Sequence, residues 1–180
     1  GEILAEIDEH IREEVISELN PDVLAEAVRD LESDDVVDLV EDLEEEQKET
    51  ILGALDEGDR VAVKSLLSYP EHSAGRLMQR EVVIAPEHWS VGKAIDFLRS
   101  NANLPEQFYH IVLVDPRLHP VGNVSLGKLM SSKRSVLLEE IIEDAFQVIP
   151  ADQNEADVAY AFNQYHLISA PVVDRENRVV

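Results

Sequence analysis

The sequence predicts an α-helical superhelix followed by a tandem α+β repeat whose second copy is incomplete. Three observations lead there. The charge is split, because residues 1–60 hold 23 acids and 4 bases while residues 61–180 hold 15 and 11. The acidic part repeats its apolar residues every twelve positions. The remainder repeats an order of strand, proline, helix, strand and aspartate at an offset of about 60 to 65 residues.

The acidic part comes first. One ladder runs Ile7, Leu19, Leu31, Leu43, Leu55, Leu67; a second runs Leu4, Ile16, Val28, Val40, Leu52; a third runs Ile3, Val15, Ala27, Leu39, Ile51, Val63. Within each unit the apolar spacing is three and four, which is one face of a helix. Twelve residues are not a whole number of 3.6-residue turns. Each unit therefore reads as a short helix and a tight turn, with starts expected at Asn20-Pro21, Ser33-Asp34 and Gly58-Asp59. Helices this short are marginal alone and must stack into a small superhelix. The acids then fall on the outer faces, and a run such as Glu44-Glu45-Glu46 reads as a solvated surface that contributes field.

The texture changes after Met78. Val82-Val83-Ile84-Ala85-Pro86 reads as a strand stopped by proline, and Val91 to Leu98 as an amphipathic helix with Val91, Ala94, Ile95 and Leu98 inward. Ile111-Val112-Leu113-Val114 reads as a buried strand closed by the turn Asp115-Pro116. Val121-Gly122-Asn123-Val124 is a further strand, followed by a short helix over Leu126–Met130. The order then returns: Val148-Ile149-Pro150, the helix around Val158–Phe162, and Pro171-Val172-Val173-Asp174. The second copy stops at Val179-Val180, inside what should be its next strand.

Composition excludes several functions. The whole chain carries 38 acids against 15 bases, a net charge of -23, and so repels phosphate backbones and anionic lipid. Cysteine is absent, which removes disulfides, thiolate metal sites and cysteine catalysis. Runs such as Ile111–Val114 are far shorter than the about 20 apolar residues of a bilayer span. No basic start with an apolar stretch marks a signal peptide. The histidines, His10, His72, His88, His110, His119 and His166, include no pair with metal-ligand spacing on a helix, and no Gly-x-Ser-x-Gly stands at a strand end. His110 and His166 precede strands and read as cleft-lining or packing residues, and Trp89 as core or domain interface. No catalysis is expected.

The tandem repeat resembles a pair of CBS (cystathionine β-synthase) domains. The junction Tyr69-Pro70-Glu71-His72-Ser73-Ala74-Gly75-Arg76-Leu77-Met78, placed between an acidic superhelix and that repeat, resembles the linker of MgtE-type magnesium channels and transporters. The resemblance implies an acidic helical domain over residues 1–68, a linker over 69–78, a first CBS motif over 79–134 and an incomplete second motif over 135–180. It implies a cytosolic region at the inner face of the membrane, a homodimer formed through the CBS pair, and a transmembrane pore domain of the same full-length protein as partner. Nucleic acid and direct membrane insertion are excluded as partners of this fragment. The ligand implied is Mg2+, held by Asp34 and Asp38, four apart and hence on one helix face, and by Glu2. Departures from the family pattern are His72 in place of the junction aspartate, Tyr165-His166-Leu167, and Asn154 and Ala156 where acids are common. ATP is a further ligand of such pairs, in a cleft lined here by Tyr109, His110, Ile149 and Leu167. An Arg-Asp pair expected after the strand serine is absent, because Ser125-Leu126 is followed by Gly127-Lys128. Magnesium-dependent gating of a channel is the function implied. An adenine-nucleotide-sensing CBS module and an acidic scaffold for a basic partner are the alternatives.

Overall fold

The computed structural model describes residues 15–16, 18–19, 21–29, 31–41, 43–101, 104–105 and 107–180. They divide into two compact units. The first runs to Glu71 and takes back Arg76–Arg80; the second comprises His72–Gly75 and Glu81–Val180.

The first unit is helical. Among the described residues its helices are α1 (Pro21–Arg29), α2 (Ser33–Glu41), α3 (Glu45–Ala54) and α4 (Glu57–Leu67), so successive starts lie twelve residues apart. The ladder explains the spacing: Val28, Val40, Leu39, Ile51, Val63, Leu43 and Leu55 are all buried. Alternate helices pack, α1 on α3 and α2 on α4. The helix starts differ in detail from the sequence expectation. Asn20 lies outside the described residues. Ser33 is the first helical residue, and its hydroxyl accepts from the Arg80 N–H (3.1 Å). The cap of α4 is Asp56, whose carboxylate accepts from the Asp59 N–H (3.0 Å), so Gly58-Asp59 sits inside the first turn. A carboxylate one residue ahead of the helix reaches the orphan N–H groups, and glycine has no side chain to do so.

Two arginines finish these helices. Arg60 donates from Nε to the Leu52 carbonyl (2.8 Å) and from Nη2 to the Leu55 carbonyl (2.9 Å) at the end of α3. Arg76 does the same at the end of α4, donating to the Leu67 and Tyr69 carbonyls. Terminal carbonyls lack intrahelical partners and carry partial negative charge, so a guanidinium satisfies both needs.

The second unit holds the repeat. The junction helix α5 (Ala74–Leu77) precedes β1 (Ile84–Pro86), α6 (Val91–Ser100), β2 (His110–Val114), β3 (Pro120–Ser125) and α7 (Leu126–Ser131). A 3-10 turn (Leu138–Ile141) leads to β4 (Ile149–Pro150), α8 (Glu155–Tyr165) and β5 (Val172–Val173). Strand β1 pairs parallel with β2 and β2 antiparallel with β3; β4 pairs parallel with β5. The first strand is shorter than its apolar run, because only Ile84–Pro86 face β2. Val83, Ala85, Val91, Ala94, Ile95, Ile111, Leu113, Val124, Leu129, Leu138 and Ile141 form the core, with Trp89 and Leu98 against its margin. Trp89 meets Phe97 edge-on at 5.4 Å between centroids, and Lys93 lies over its ring. Gly92 is there for lack of space: a Cβ would come within 3.1 Å of the Arg134 carbonyl oxygen. In the second copy α8 has no buried residue, and the expected strand at Val179-Val180 is a single bridge from Val179 to Val173.

The repeat extends to its turns. Asp115 accepts from the N–H groups of Arg117 and His119, and Asp174 from those of Glu176 and Arg178. Each turn places its fourth residue in the left-handed region, Leu118 at φ 67° and Asn177 at φ 60°. Asparagine adopts that conformation at lower cost than leucine. Leu118 is exposed, so Leu118→Asn is expected to raise stability by about 0.5–1 kcal/mol in urea melts. An unchanged or lowered midpoint would contradict this reading.

Candidate functional site

Asp34 and Asp38 stand on α2, one turn apart; Asp34 is half-buried near the N-terminal end and Asp38 is exposed. The apolar residues Val36, Val37, Leu39 and Val40 set the buried side of the helix. An acid in the first turn is favoured by the helix dipole, whereas a second acid four residues on repels it. Glu2 lies outside the described residues. Among the described residues no three carboxylate or imidazole groups converge as a metal cage. Two carboxylates on one face nevertheless fit magnesium, which keeps several waters and is commonly held by one or two carboxylates.

Helix α2 is tied at both ends to the segment that enters the second unit. Arg76 pairs through Nε with the Glu41 carboxylate at the last residue of α2. At the other end Gln79 donates to Glu32, and Arg80 N–H to the Ser33 hydroxyl. Ala74 and Gly75 donate backbone N–H bonds to the Gln153 and Ala151 carbonyls (both 2.8 Å) within the second unit.

The other residues singled out by sequence fall as follows. His72, in place of the junction aspartate, has φ 58° and sits 3.1 Å from Glu155 in an exposed pair. Asn154 caps α8, accepting from the Ala156 N–H (3.0 Å), which accounts for its polar side chain without a metal. His166 does not lead into a strand; it is the left-handed C-cap of α8, at φ 52°. His119 lies 2.9 Å from Asp115. Of the expected cleft residues, Ile149 is buried, Tyr109 is exposed and Leu167 is half-buried. His110 opens β2, with Nδ1 2.8 Å from the Ser169 hydroxyl and Nε2 3.4 Å from Glu143. The Ser125 hydroxyl, hydrogen-bonded to Glu143, holds that carboxyl below the usual glutamate range. Partial burial opposes the shift, and the His110 charge and the Ser125 N–H reinforce it.

The sign of that shift sets a pH dependence. A lowered folded-state value stabilises at pH above the ordinary glutamate pKa, and the contribution is lost as pH falls through the lowered value. The gap in melting temperature between the wild type and Glu143→Gln is therefore expected to narrow from about pH 5 to about pH 3. A constant or widening gap would contradict the assignment.

Comparison with known proteins agrees with this layout. Residues 1–72 match the MgtE intracellular N domain and residues 74–134 the CBS domain. The magnesium transporter MgtE of Thermus thermophilus is 32% identical over 126 residues, 70% of this chain and 28% of that protein. The magnesium transporter MgtE of Enterococcus faecalis is 27% identical over 118 residues, 66% of this chain and 26% of that protein. The match thus spans little more than a quarter of these relatives' length. The crystal structure of the cytosolic domain of the Mg2+ channel MgtE in complex with ATP superposes with a TM-score of 0.91 at 28% identity, covering 99% of this chain and 73% of that one. The soluble part of a magnesium transporter gives 0.89 at 25% identity, covering 99% and 70%.

Proposed function

From the premise that the chain has the make-up of an MgtE-type cytosolic region, an intracellular N domain followed by a CBS domain and not an enzyme, we propose that it is a magnesium-responsive regulatory region. The observation that carries the reading is α2. It presents Asp34 and Asp38 on one face and is tied at both ends to the segment leading into the CBS unit. Hydrated magnesium shared between these acids, Glu2 and carboxylates of the CBS unit neutralises repulsion in a chain of net charge -23 and draws the units together. When the ion leaves, the charge drives them apart.

In the full-length protein the partner is a transmembrane pore domain, and closure of the cytosolic units shuts it. The chain acts at the cytoplasmic face of the membrane as a homodimer through its CBS unit. No helix among the described residues is long and apolar enough to cross a bilayer, so the pore is supplied from outside them.

Magnitude favours several weak sites over one strong one. A switch from 1:99 to 99:1 needs about 5.5 kcal/mol of differential binding. One site at a few times its Kd supplies about 1 kcal/mol. Several sites, doubled in a dimer, reach the requirement. The test is thermal melting against magnesium and against sodium chloride of equal ionic strength. Magnesium is expected to raise the midpoint further than sodium; equal effects would mean screening alone and would defeat the proposal.

A second reading, adenine-nucleotide binding by the CBS unit, is favoured by the ATP complex of the structural relative. Against it stands Leu126-Gly127-Lys128 after Ser125, where the Arg-Asp pair of the family is absent.

A further inference from the structure

The first unit carries a groove where α1 packs on α3. Ile16 and Leu24 are buried and Leu19 is half-buried, so these three form its floor. Glu44, Glu46 and Thr50 are exposed and Gln47 is half-buried, so these form its rim. The groove has a volume of about 340 Å3. Ligand cavities run from about 300 to 1,000 Å3, so this one takes a few side chains and not a folded domain.

Two of the rim groups are already engaged within α3. Gln47 Oε1 accepts from the Glu44 N–H (3.3 Å), and the Thr50 hydroxyl donates to the Glu46 carbonyl (2.9 Å). The Glu44 and Glu46 carboxylates therefore set what the rim attracts. Two arginines of the unit are occupied elsewhere, Arg60 on the Leu52 and Leu55 carbonyls and Arg76 on Glu41 and the end of α4. Among the described residues no ion pair reaches Glu44 or Glu46. The surrounding field is strongly negative, with 23 acids against 4 bases in residues 1–60.

An apolar floor inside a negative rim selects its occupant. An uncharged partner would strip water from the carboxylates without a compensating charge. An acidic partner is repelled by the field, and a free cation has no use for the floor. We infer that the groove docks a basic peptide segment of a partner protein, with an apolar side chain over Ile16, Leu19 and Leu24 and Lys or Arg side chains on Glu44 and Glu46. The apolar anchor supplies most of the binding energy, and the charges supply steering and orientation. Asp34 and Asp38 take no part, so the inference stands or falls apart from magnesium sensing at α2.

The test is fluorescence anisotropy of a labelled lysine–leucine peptide, with leucines at i, i+3, i+4 and i+7, titrated with the whole chain in magnesium-free buffer. Salt is held at about 0.15 M, where charges act over about 8 Å. Two further peptides separate charge from anchor, one with alanine for every leucine and one with glutamine for every lysine. The lysine–leucine peptide is expected to bind about tenfold tighter than either, since both contacts contribute. Glu46→Lys reverses one rim charge and Thr50→Trp fills the mouth of the groove. Each is expected to weaken binding about tenfold, the effect of losing one central contact. Glu57→Lys is the control: it makes the same charge change at an exposed first-turn position beyond the far end of α3. Ten helical residues span about 15 Å, so the control should stay within about twofold of wild type at a Debye length of about 8 Å. Should Glu46→Lys not fold, as judged by circular dichroism, Thr50→Trp carries the test. Binding of the glutamine peptide as tight as that of the lysine–leucine peptide would make the groove a site for an apolar ligand, and equal binding of the alanine peptide would leave charge alone. Either result overturns the inference, as does an equal loss in Glu57→Lys, no loss in the folded groove variants, or no binding of the lysine–leucine peptide.

Discussion

Replacing Arg76 with alanine lowers the stability of the helical unit by about 2–3 kcal/mol, the range for a lost charge-assisted hydrogen-bond set at a largely buried site. The Arg76 side chain is 12% exposed and its guanidinium serves three acceptors: the carboxylate of Glu41, whose side chain is 32% exposed, and the Leu67 and Tyr69 carbonyls. Removing it leaves the end of α4 without its donor and a glutamate without its countercharge, in a unit already rich in acid. Lysine recovers only part of the loss, because one ammonium cannot reproduce the planar fork that reaches three acceptors. The measurement is urea unfolding followed by far-ultraviolet circular dichroism, with the exposed Arg99→Ala as control, expected within about 0.5 kcal/mol of wild type. A change in Arg76→Ala no larger than the control would show that the ties from the junction to α2 are dispensable.

Asn at both Asp34 and Asp38 is expected to lower the magnesium-specific rise in melting temperature by the share of the sites that these two acids hold, while leaving the fold in place. The helix itself loses little. Relief of an i,i+4 repulsion is worth about 0.2–0.5 kcal/mol, and loss of an acid in the first turn costs about 0.3–1 kcal/mol. The ion-dependent part is larger, about 1 kcal/mol for each site lost at a few times its Kd, so the two effects separate when wild type and variant are compared with and without magnesium. A control in Glu45 and Glu46, exposed acids of α3, should keep the response. An Asp34→Asn/Asp38→Asn chain that responds as the wild type does would move the sites elsewhere on the acidic unit.

Much of the fold is legible in the residues because it is repeated. A ladder at twelve residues appears as helices starting at Pro21, Ser33, Glu45 and Glu57, since each unit must bury the same stripe. The parallel pairs β1–β2 and β4–β5 follow from the apolar runs, and Asp115 and Asp174 close matching turns. Strand and cap details escape such a reading. Whether Asp56 or Gly58-Asp59 starts α4 depends on which side chain reaches an N–H, and periodicity carries no information on that.

The candidate site divides in the same way. That Asp34 and Asp38 share a face follows from their spacing alone. Arg76 does not stand out in the junction, because its partner Glu41 is 35 residues away. The His110 contact to Ser169 spans 59 residues and exists only once the two motifs have packed. His110 is legible as a cleft residue; Glu143 and Ser169 carry no local signal that would select them. Arginine finishing a helix in an acidic unit is the one general cue, shared by Arg60 and Arg76, that a charge-aware reading could use.

Small-angle scattering of the chain, from magnesium-free buffer to tens of millimolar magnesium and in parallel with sodium chloride of equal ionic strength, tests ion-driven closure most directly. The radius of gyration is expected to fall with magnesium, to fall less with sodium, and to show a smaller magnesium-specific fall in Asp34→Asn/Asp38→Asn. A radius that ignores magnesium, or that follows sodium equally, would contradict magnesium as the ion that brings the units together.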